Sequence, residues 1–113
     1  MLRSFLVPTV LAAAFVLPAG ASSAAEQASY SLAIKNHRFQ PSELTVPAGK
    51  RFKLVVRNLD ATPEEFESPA LSREKVVRGH GKITINIGPL NPGTYKFYGE
   101  FHVKTARGQI VAR

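Results

Sequence analysis

The chain has 113 residues, with 15 Lys and Arg against 8 Asp and Glu, and a formal net charge of +7 at pH 7. It contains no cysteine, which excludes disulfide bonds, thiolate nucleophiles and metal centres held by thiolates. The basic residues are spread along the chain rather than massed. We therefore expect a solvated surface or a docking surface for an acidic partner, and no nucleic-acid binding.

Residues 1–25 have the pattern of a secretory signal peptide. Arg3 supplies a positive charge, an apolar run follows, and small residues come next. The apolar run is too short to span a bilayer comfortably, and we expect cleavage after Ala25 or Ala21; a retained anchor is the alternative. Residues 26–113 would form one small domain. We expect it in the periplasm, and at a membrane only through a partner protein.

The rest of the chain is typical of short strands and turns. Alternation of apolar and polar residues predicts about seven strands, separated by turns rich in Gly and Pro. The predicted strands are 30–34, 44–46, 52–57, 74–77, 83–87, 95–98 and 109–111. The turn Gly79-His80-Gly81 is predicted to close a hairpin. This pattern favours an all-β sandwich or barrel.

Strand direction predicts where the chemically interesting residues meet. If successive strands reverse, the chain returns to one end of the sandwich at His37, after Asn58, at His80 and at residues 99–102. We therefore expect all three histidines and the acidic segment after Asn58 to gather at this end, provided that no crossover intervenes.

Acidic and histidine side chains gathered in this way could hold a metal ion. The preferred candidate ligands are Glu64, Glu67, Glu100 and His102, and the weaker ones are Glu65, His37 and His80. Glu100 and His102 lie two apart on a segment expected to be extended, so their side chains can point the same way. Neighbouring carboxylates raise one another's pKa unless a cation lies between them. Carboxylates with one imidazole suit iron, manganese, zinc or Cu(II) better than Cu(I).

Each candidate also has a purely structural interpretation. Three glutamates within residues 64–67 are typical of a solvated loop, and Glu100 could pair with Lys96. A lone histidine is more often a surface or core residue than a ligand. The sequence has no nucleophile elbow, HExxH motif or phosphate-binding glycine loop that would indicate a hydrolase or nuclease.

Residues 39–49, 58–68 and 92–108 resemble the cupredoxin fold. The strings Glu-Glu-Phe-Glu-Ser at 64–68 and Phe-Tyr-Gly-Glu-Phe-His at 97–102 are similar to those of small periplasmic cupredoxin-like proteins of bacterial ferrous-iron uptake systems. The resemblance implies a Greek-key β-sandwich or barrel that binds iron or copper and assists iron uptake or oxidation. The implied partner is an iron permease or a second periplasmic metal protein.

The same resemblance shows that a blue-copper site is missing. The first histidine of such a site falls on Glu64, the cysteine on Gly99, the second histidine on His102 and the axial methionine near Ala106 or Arg107. One ligand of the four is present, so chemistry excludes a type 1 copper centre.

Two functions remain open from the sequence. The first is metal handling in iron uptake, in which a partner would have to sustain any oxidation of iron. The second is a metal-free interaction module that keeps the fold and docks a periplasmic or membrane partner.

Overall fold

The computed structural model describes residues 3–6, 8–14 and 27–113. The regular elements are β1 Ala28–Lys35, β2 Arg38–Gln40, β3 Glu43–Val46, β4 Phe52–Asn58, β5 Glu64–Ser68, β6 Arg73–Val77, β7 Lys82–Ile87, β8 Gly93–Gly99, a 3-10 turn Glu100–His102, and β9 Arg107–Ala112. The predicted cleavage sites lie outside the described residues, so the signal peptide stays a prediction. The described part contains no helix long and apolar enough to cross a membrane.

The strands form two mixed sheets. One has the order β2-β1-β4-β7 and the other the order β3-β9-β8-β5-β6. β1 runs parallel to β4, and β3 runs parallel to β9. The predicted all-β sandwich is confirmed, with nine strands in place of about seven. The two strands that the sequence did not predict are the short β2 and the glutamate-rich β5.

The chain changes sheets between β6 and β7, so the predicted hairpin at residues 79–81 is wrong. β6 pairs with β5, whereas β7 pairs with β4 in the other sheet. The turn between them packs on the segment after β4: the His80 N–H donates to the Asp60 carbonyl at 2.9 Å. A turn that closes a hairpin and a turn that leads to the other sheet can have the same residues between two alternating strands. The sequence pattern alone therefore does not distinguish the two connections.

Inward-facing side chains of both sheets meet in one core. Phe39, Phe66 and Phe97 come from β2, β5 and β8, and their ring centroids lie 4.9 to 6.1 Å apart. Edge-to-face and tilted contacts of this kind add to the apolar burial. Phe66 is also paired with Gly99 across β5 and β8. The aromatic cluster therefore holds the beginning of β5, where Glu64 lies, close to the end of β8.

Gly79→Ala should destabilise the fold, because a Cβ at this position would lie 1.9 Å from the carbonyl oxygen of Ala61. We expect the free energy of unfolding to fall by about 1–3 kcal/mol, as measured by urea denaturation. Gly88→Ala is the matched control, since a Cβ there meets nothing within 4 Å. Equal losses in the two variants would contradict the close approach of the two backbones.

Candidate metal centre

Strand β5 divides the predicted ligands between two environments. Successive side chains of a strand point to opposite faces. Accordingly Glu64 is buried inside the sandwich, whereas Glu65 and Glu67 are partly exposed on the outer side of the sheet. Glu64 and Glu67 therefore lie on opposite faces, and the strand itself prevents them from forming one ligand set.

The segment after β8 separates the other two predicted ligands. Residues 100–102 form a 3-10 turn, not the extended segment expected from the sequence. Its tighter path sends Glu100 toward Glu67 and His102 toward Glu64. The four preferred candidates thus form two pairs, one buried at the end of the sandwich and one on the outer face.

The buried pair is centred on Glu64, whose residue is 1% exposed. Its Oε1 accepts the N–H groups of Phe101 at 2.9 Å and Glu65 at 3.1 Å. Its Oε2 lies 2.5 Å from Nδ1 of His102. A buried carboxylate needs such donors to offset its lost hydration. Glu64 therefore ties the 3-10 turn to β5.

The contact with Glu64 also orients His102. When the neutral imidazole donates from Nδ1, its Nε2 carries the free lone pair. Metal-binding histidines commonly have this arrangement, in which a carboxylate accepts from one ring nitrogen while the other faces the ion. Glu64 thus acts as a positioning residue for His102 and has its own oxygens engaged within the chain.

His37 stacks on His102 at the same end of the sandwich. Their ring centroids are 3.5 Å apart, with planes inclined by 33°. Asn36 and His37 adopt left-handed φ angles of 51° and 57°, and Asp60 accepts their N–H groups at 2.9 and 3.0 Å. The hydrogen bond from the His37 backbone lowers the pKa of Asp60. We call this cluster of His37, Asp60, Glu64 and His102 the pole.

The sequence interpretation missed Asn58 and Asp60, which support the pole. The buried Asn58 amide donates to the carbonyls of Thr62 and Val77 at 2.8 and 3.1 Å, and its Oδ1 accepts the Asp60 N–H at 3.0 Å. An Asn two residues before an Asp at a strand end is a turn signal that could have revealed them. His80 joins the pole through its backbone bond to Asp60, and its side chain is exposed.

Gly99 leaves the space that the Glu64 carboxylate fills. A Cβ on Gly99 would lie 2.6 Å from the Glu64 carboxyl carbon and 2.7 Å from Cβ of Ala106. At the position where a blue-copper protein would carry its cysteine, this chain has no room for any side chain while Glu64 stays in place. Composition excludes the type 1 site, and a side chain at 99 would in addition require Glu64 and Ala106 to move.

On the outer face of the five-stranded sheet, acidic side chains meet in a carboxylate cluster, formed by Glu65, Glu67, Glu74 and Glu100. Carboxylate oxygens of Glu65, Glu67 and Glu74 all lie within 4.8 Å of one another, and Glu100 reaches Glu67 from the 3-10 turn. Glu74 was not predicted, because it belongs to β6 and joins the cluster only through its cross-strand pairing with Glu67.

Crowding of like charges changes the acidity of this cluster. The pKa of Glu65 rises to about 7, first because it lies within hydrogen-bonding reach of Glu74 and then because of desolvation and charge repulsion. The pKa of Glu67 is raised by desolvation and by repulsion from Glu100. Burial and the same acidic neighbours raise the pKa of the Tyr98 hydroxyl. The cluster thus retains protons that isolated carboxylates would release.

In the part of the chain that the structure describes, no Lys or Arg lies within ion-pair distance of the cluster. Arg73 lines a hollow beside Glu67 and Glu74, but its guanidinium donates to backbone carbonyls. The ion pairs at 4.0 Å or less in these residues are His37–Asp60 and His102–Glu64, and both are at the pole. The cluster holds four of the eight acidic residues of a chain whose net charge is +7. Four neighbouring carboxylates with no Lys or Arg within 4.0 Å among the described residues offer a cation an oxygen-rich site.

The sequence profile of the cupredoxin-like domain family matches residues 8–112. The chain belongs to this family. A protein of Rickettsia prowazekii (strain Madrid E), described as uncharacterized, is 45% identical over 80 residues, which cover 71% of this chain and 64% of that protein. The chain therefore spans less than two thirds of the length of that relative. The predicted cupredoxin resemblance is confirmed at the level of the family and its fold.

Solved blue-copper proteins have the same fold at low sequence identity. Auracyanin A of Chloroflexus aurantiacus superposes with a TM-score of 0.67 at 16% identity, covering 77% of this chain and 99% of that chain. Amicyanin from Paracoccus versutus gives a TM-score of 0.59 at 16% identity, covering 79% and 83%. At these identities the likeness establishes the architecture alone. Assignment to iron uptake remains a proposal.

Gly99→Ala should destabilise the protein by about 1–3 kcal/mol, because the added methyl group displaces the Glu64 carboxylate. A double-mutant cycle with Glu64→Ala isolates this contact. We expect the same methyl group to cost less in the Glu64→Ala background, as measured by urea denaturation. An identical cost in both backgrounds would show that Glu64 does not occupy the space above Gly99.

The metal-free protein should lose stability as the pH rises from 4.5 to 7. The ordinary pKa of Glu65 is 4.5 and its folded pKa is about 7, so in this window the folded protein holds a proton that the unfolded chain has released. Stability gained by that proton is complete below 4.5 and lost through 7. The lowered pKa of Asp60 acts below its ordinary 3.8, outside this window.

The pH effect can be measured as the urea midpoint in the presence of a chelator. Glu65→Gln should flatten the decline, because it removes the carboxyl group that holds the extra proton in the folded protein. Glu43→Gln is the control: Glu43 lies on the same sheet, but Gln109 donates to it at 2.9 Å and it is not part of the cluster. A decline that persists unchanged in Glu65→Gln would place its origin elsewhere.

Proposed function

We propose that the protein is an exported, periplasmic cupredoxin that binds iron on its carboxylate cluster and assists iron uptake or oxidation together with a membrane permease. One observation carries the proposal: four carboxylates converge on one face with no Lys or Arg within 4.0 Å among the described residues. Carboxylates held together in this way repel one another unless protons or a cation separate them.

The chemistry of the cluster favours a hard cation. Carboxylate oxygens suit iron and other hard ions better than they suit Cu(I). Tyr98 supplies a phenol oxygen beside Glu67 and Glu100, a further hard donor. An ion entering the cluster would displace the proton that Glu65 holds, so binding should strengthen with rising pH.

The pole offers different donors and supports copper as a second ion. His102 contacts Glu64 through Nδ1, which leaves Nε2 as the ring nitrogen for a metal, and His37 stacks against the same ring. Imidazole nitrogens suit Cu(II) and Zn(II). Copper held there would lack a thiolate ligand and therefore the blue colour of a type 1 centre. In this proposal His102 has the ligand role predicted for it, whereas Glu64, also predicted as a ligand, orients His102 instead.

We propose a partner protein for transport. An iron permease would supply the passage through the membrane, and a second periplasmic metal protein would carry an electron acceptor for iron oxidation. The net charge of +7 suits a partner with an acidic surface. The periplasmic location rests on the predicted signal peptide in residues 1–25.

Crossed metal titrations test the two sites. Glu67→Gln should weaken anaerobic Fe(II) binding by at least about 10-fold, because a direct ligand should matter no less than the outer-shell partners whose loss has this effect. It should leave Cu(II) binding unchanged. His102→Ala should do the reverse. Isothermal titration calorimetry of the mature protein measures both, with Glu43→Gln as the control for removing a carboxylate outside the cluster.

The titrations also separate the proposed function from its alternative. If neither ion binds stoichiometrically to the wild-type protein, the chain is a metal-free interaction module and the carboxylates serve a partner. If Fe(II) binds but Glu67→Gln has no effect, the carboxylate cluster is not the iron site.

A further inference from the structure

A groove of about 610 Å³ lies beside the carboxylate cluster and is lined by residues of β3, β8, β9 and the loop after β5. Apolar atoms form most of its lining, which includes Pro69, Ala70 and part of Phe97. Small-molecule sites in proteins commonly have volumes of about 300–1,000 Å³ and a mainly apolar lining with a few polar groups. The groove therefore has the size and surface of a site for a small organic ligand.

Strand register makes the groove continuous with the carboxylate cluster. Tyr98 pairs with Arg107 on one side and with Glu67 on the other, and Glu67 pairs with Glu74. One row of residues thus crosses the sheet from the groove into the cluster. Neighbouring strands are about 4.8 Å apart, so Arg107 and Glu67 lie two strand spacings from each other, with Tyr98 between them.

The two ends of this row have opposite charge. Lys96 and Arg107 line the groove, and neither is within 4.0 Å of a carboxylate in the described residues. The Arg107 Nε donates to the Val103 carbonyl at 2.6 Å, which holds the guanidinium in position. Glu43, the groove's one acidic residue, accepts from Gln109. The groove is therefore net positive beside a negative cluster.

We infer that the groove receives the anionic chelator of a metal complex, a small hydroxycarboxylate, while the iron of the complex lies at the carboxylate cluster. The inference deepens the proposed function and rests on it. A free anion would fit the groove but would be repelled by Glu67 and Glu74, and a bare cation would leave Lys96 and Arg107 unused. A chelate has a cation at one end and anionic oxygens at the other, which matches both.

Dual-label equilibrium dialysis tests this with citrate as the chelator. The protein is dialysed against radiolabelled Fe(III) and carbon-labelled citrate, and separately against labelled citrate without metal. We expect iron and citrate to be retained together in a constant ratio, and metal-free citrate to bind weakly. Lys96→Gln and Arg107→Gln should each weaken retention of the ferric citrate about threefold to fivefold, with anaerobic Fe(II) binding unchanged.

Lys53→Gln is the matched control, because Lys53 is an exposed cation on β4 of the other sheet; it should retain ferric citrate as the wild type does. Retention of iron without citrate would overturn the chelate inference and leave the proposed function standing. Citrate binding that is as tight without metal, or a loss in Lys53→Gln equal to that in Lys96→Gln, would also overturn it. Absence of Fe(II) binding in the wild type would overturn both.

Discussion

The arrangement of this protein depends on a single buried carboxylate. Glu64 is 1% exposed, and leaving its charge unpaired there would cost several kcal/mol. Its oxygens accept from two backbone N–H groups and contact the His102 ring. Those donors come from both β5 and the 3-10 turn, so the carboxylate fixes the turn in place. The direction of Glu100 and the direction of His102 both follow from that turn.

Alternation along β5 then gives the domain two chemically different surfaces. Glu64 points inward, and its oxygens are occupied by hydrogen bonds. Glu65 and Glu67 point outward and lie close to Glu74 on the neighbouring strand. The same five-residue strand thus contributes an orienting group to an imidazole pair and oxygen donors to an acidic cluster. Nitrogen and oxygen donors prefer different ions, and this strand places the two kinds of donor on opposite faces of its sheet.

The architecture was largely predictable, because alternation of apolar residues reports strands wherever polar residues face water. The prediction of strands failed at β5. There Glu64 occupies a buried position, so the sequence Glu-Glu-Phe-Glu-Ser does not show the usual alternation of apolar and polar residues. The prediction of strand pairing failed between β6 and β7, because the same turn residues can join two strands of one sheet or lead the chain from one sheet to the other. The gathering of His37 and His102 at one end was predicted from strand reversal. The position of Glu74 in the cluster was not predicted. It depends on the register between β5 and β6, and the sequence shows no clear turn between these strands that would define the register.

The packing of the Glu64 carboxylate against Gly99 limits which single substitutions could convert such a domain into a blue-copper protein. An inward glutamate at 64 and a thiol at 99 would claim the same space. A chain that has both would have to turn the Glu64 side chain away and shift Ala106, whose Cβ lies 2.7 Å from the same point. A single Gly99→Cys change in the present chain would therefore rearrange this end of the sandwich without forming a copper site.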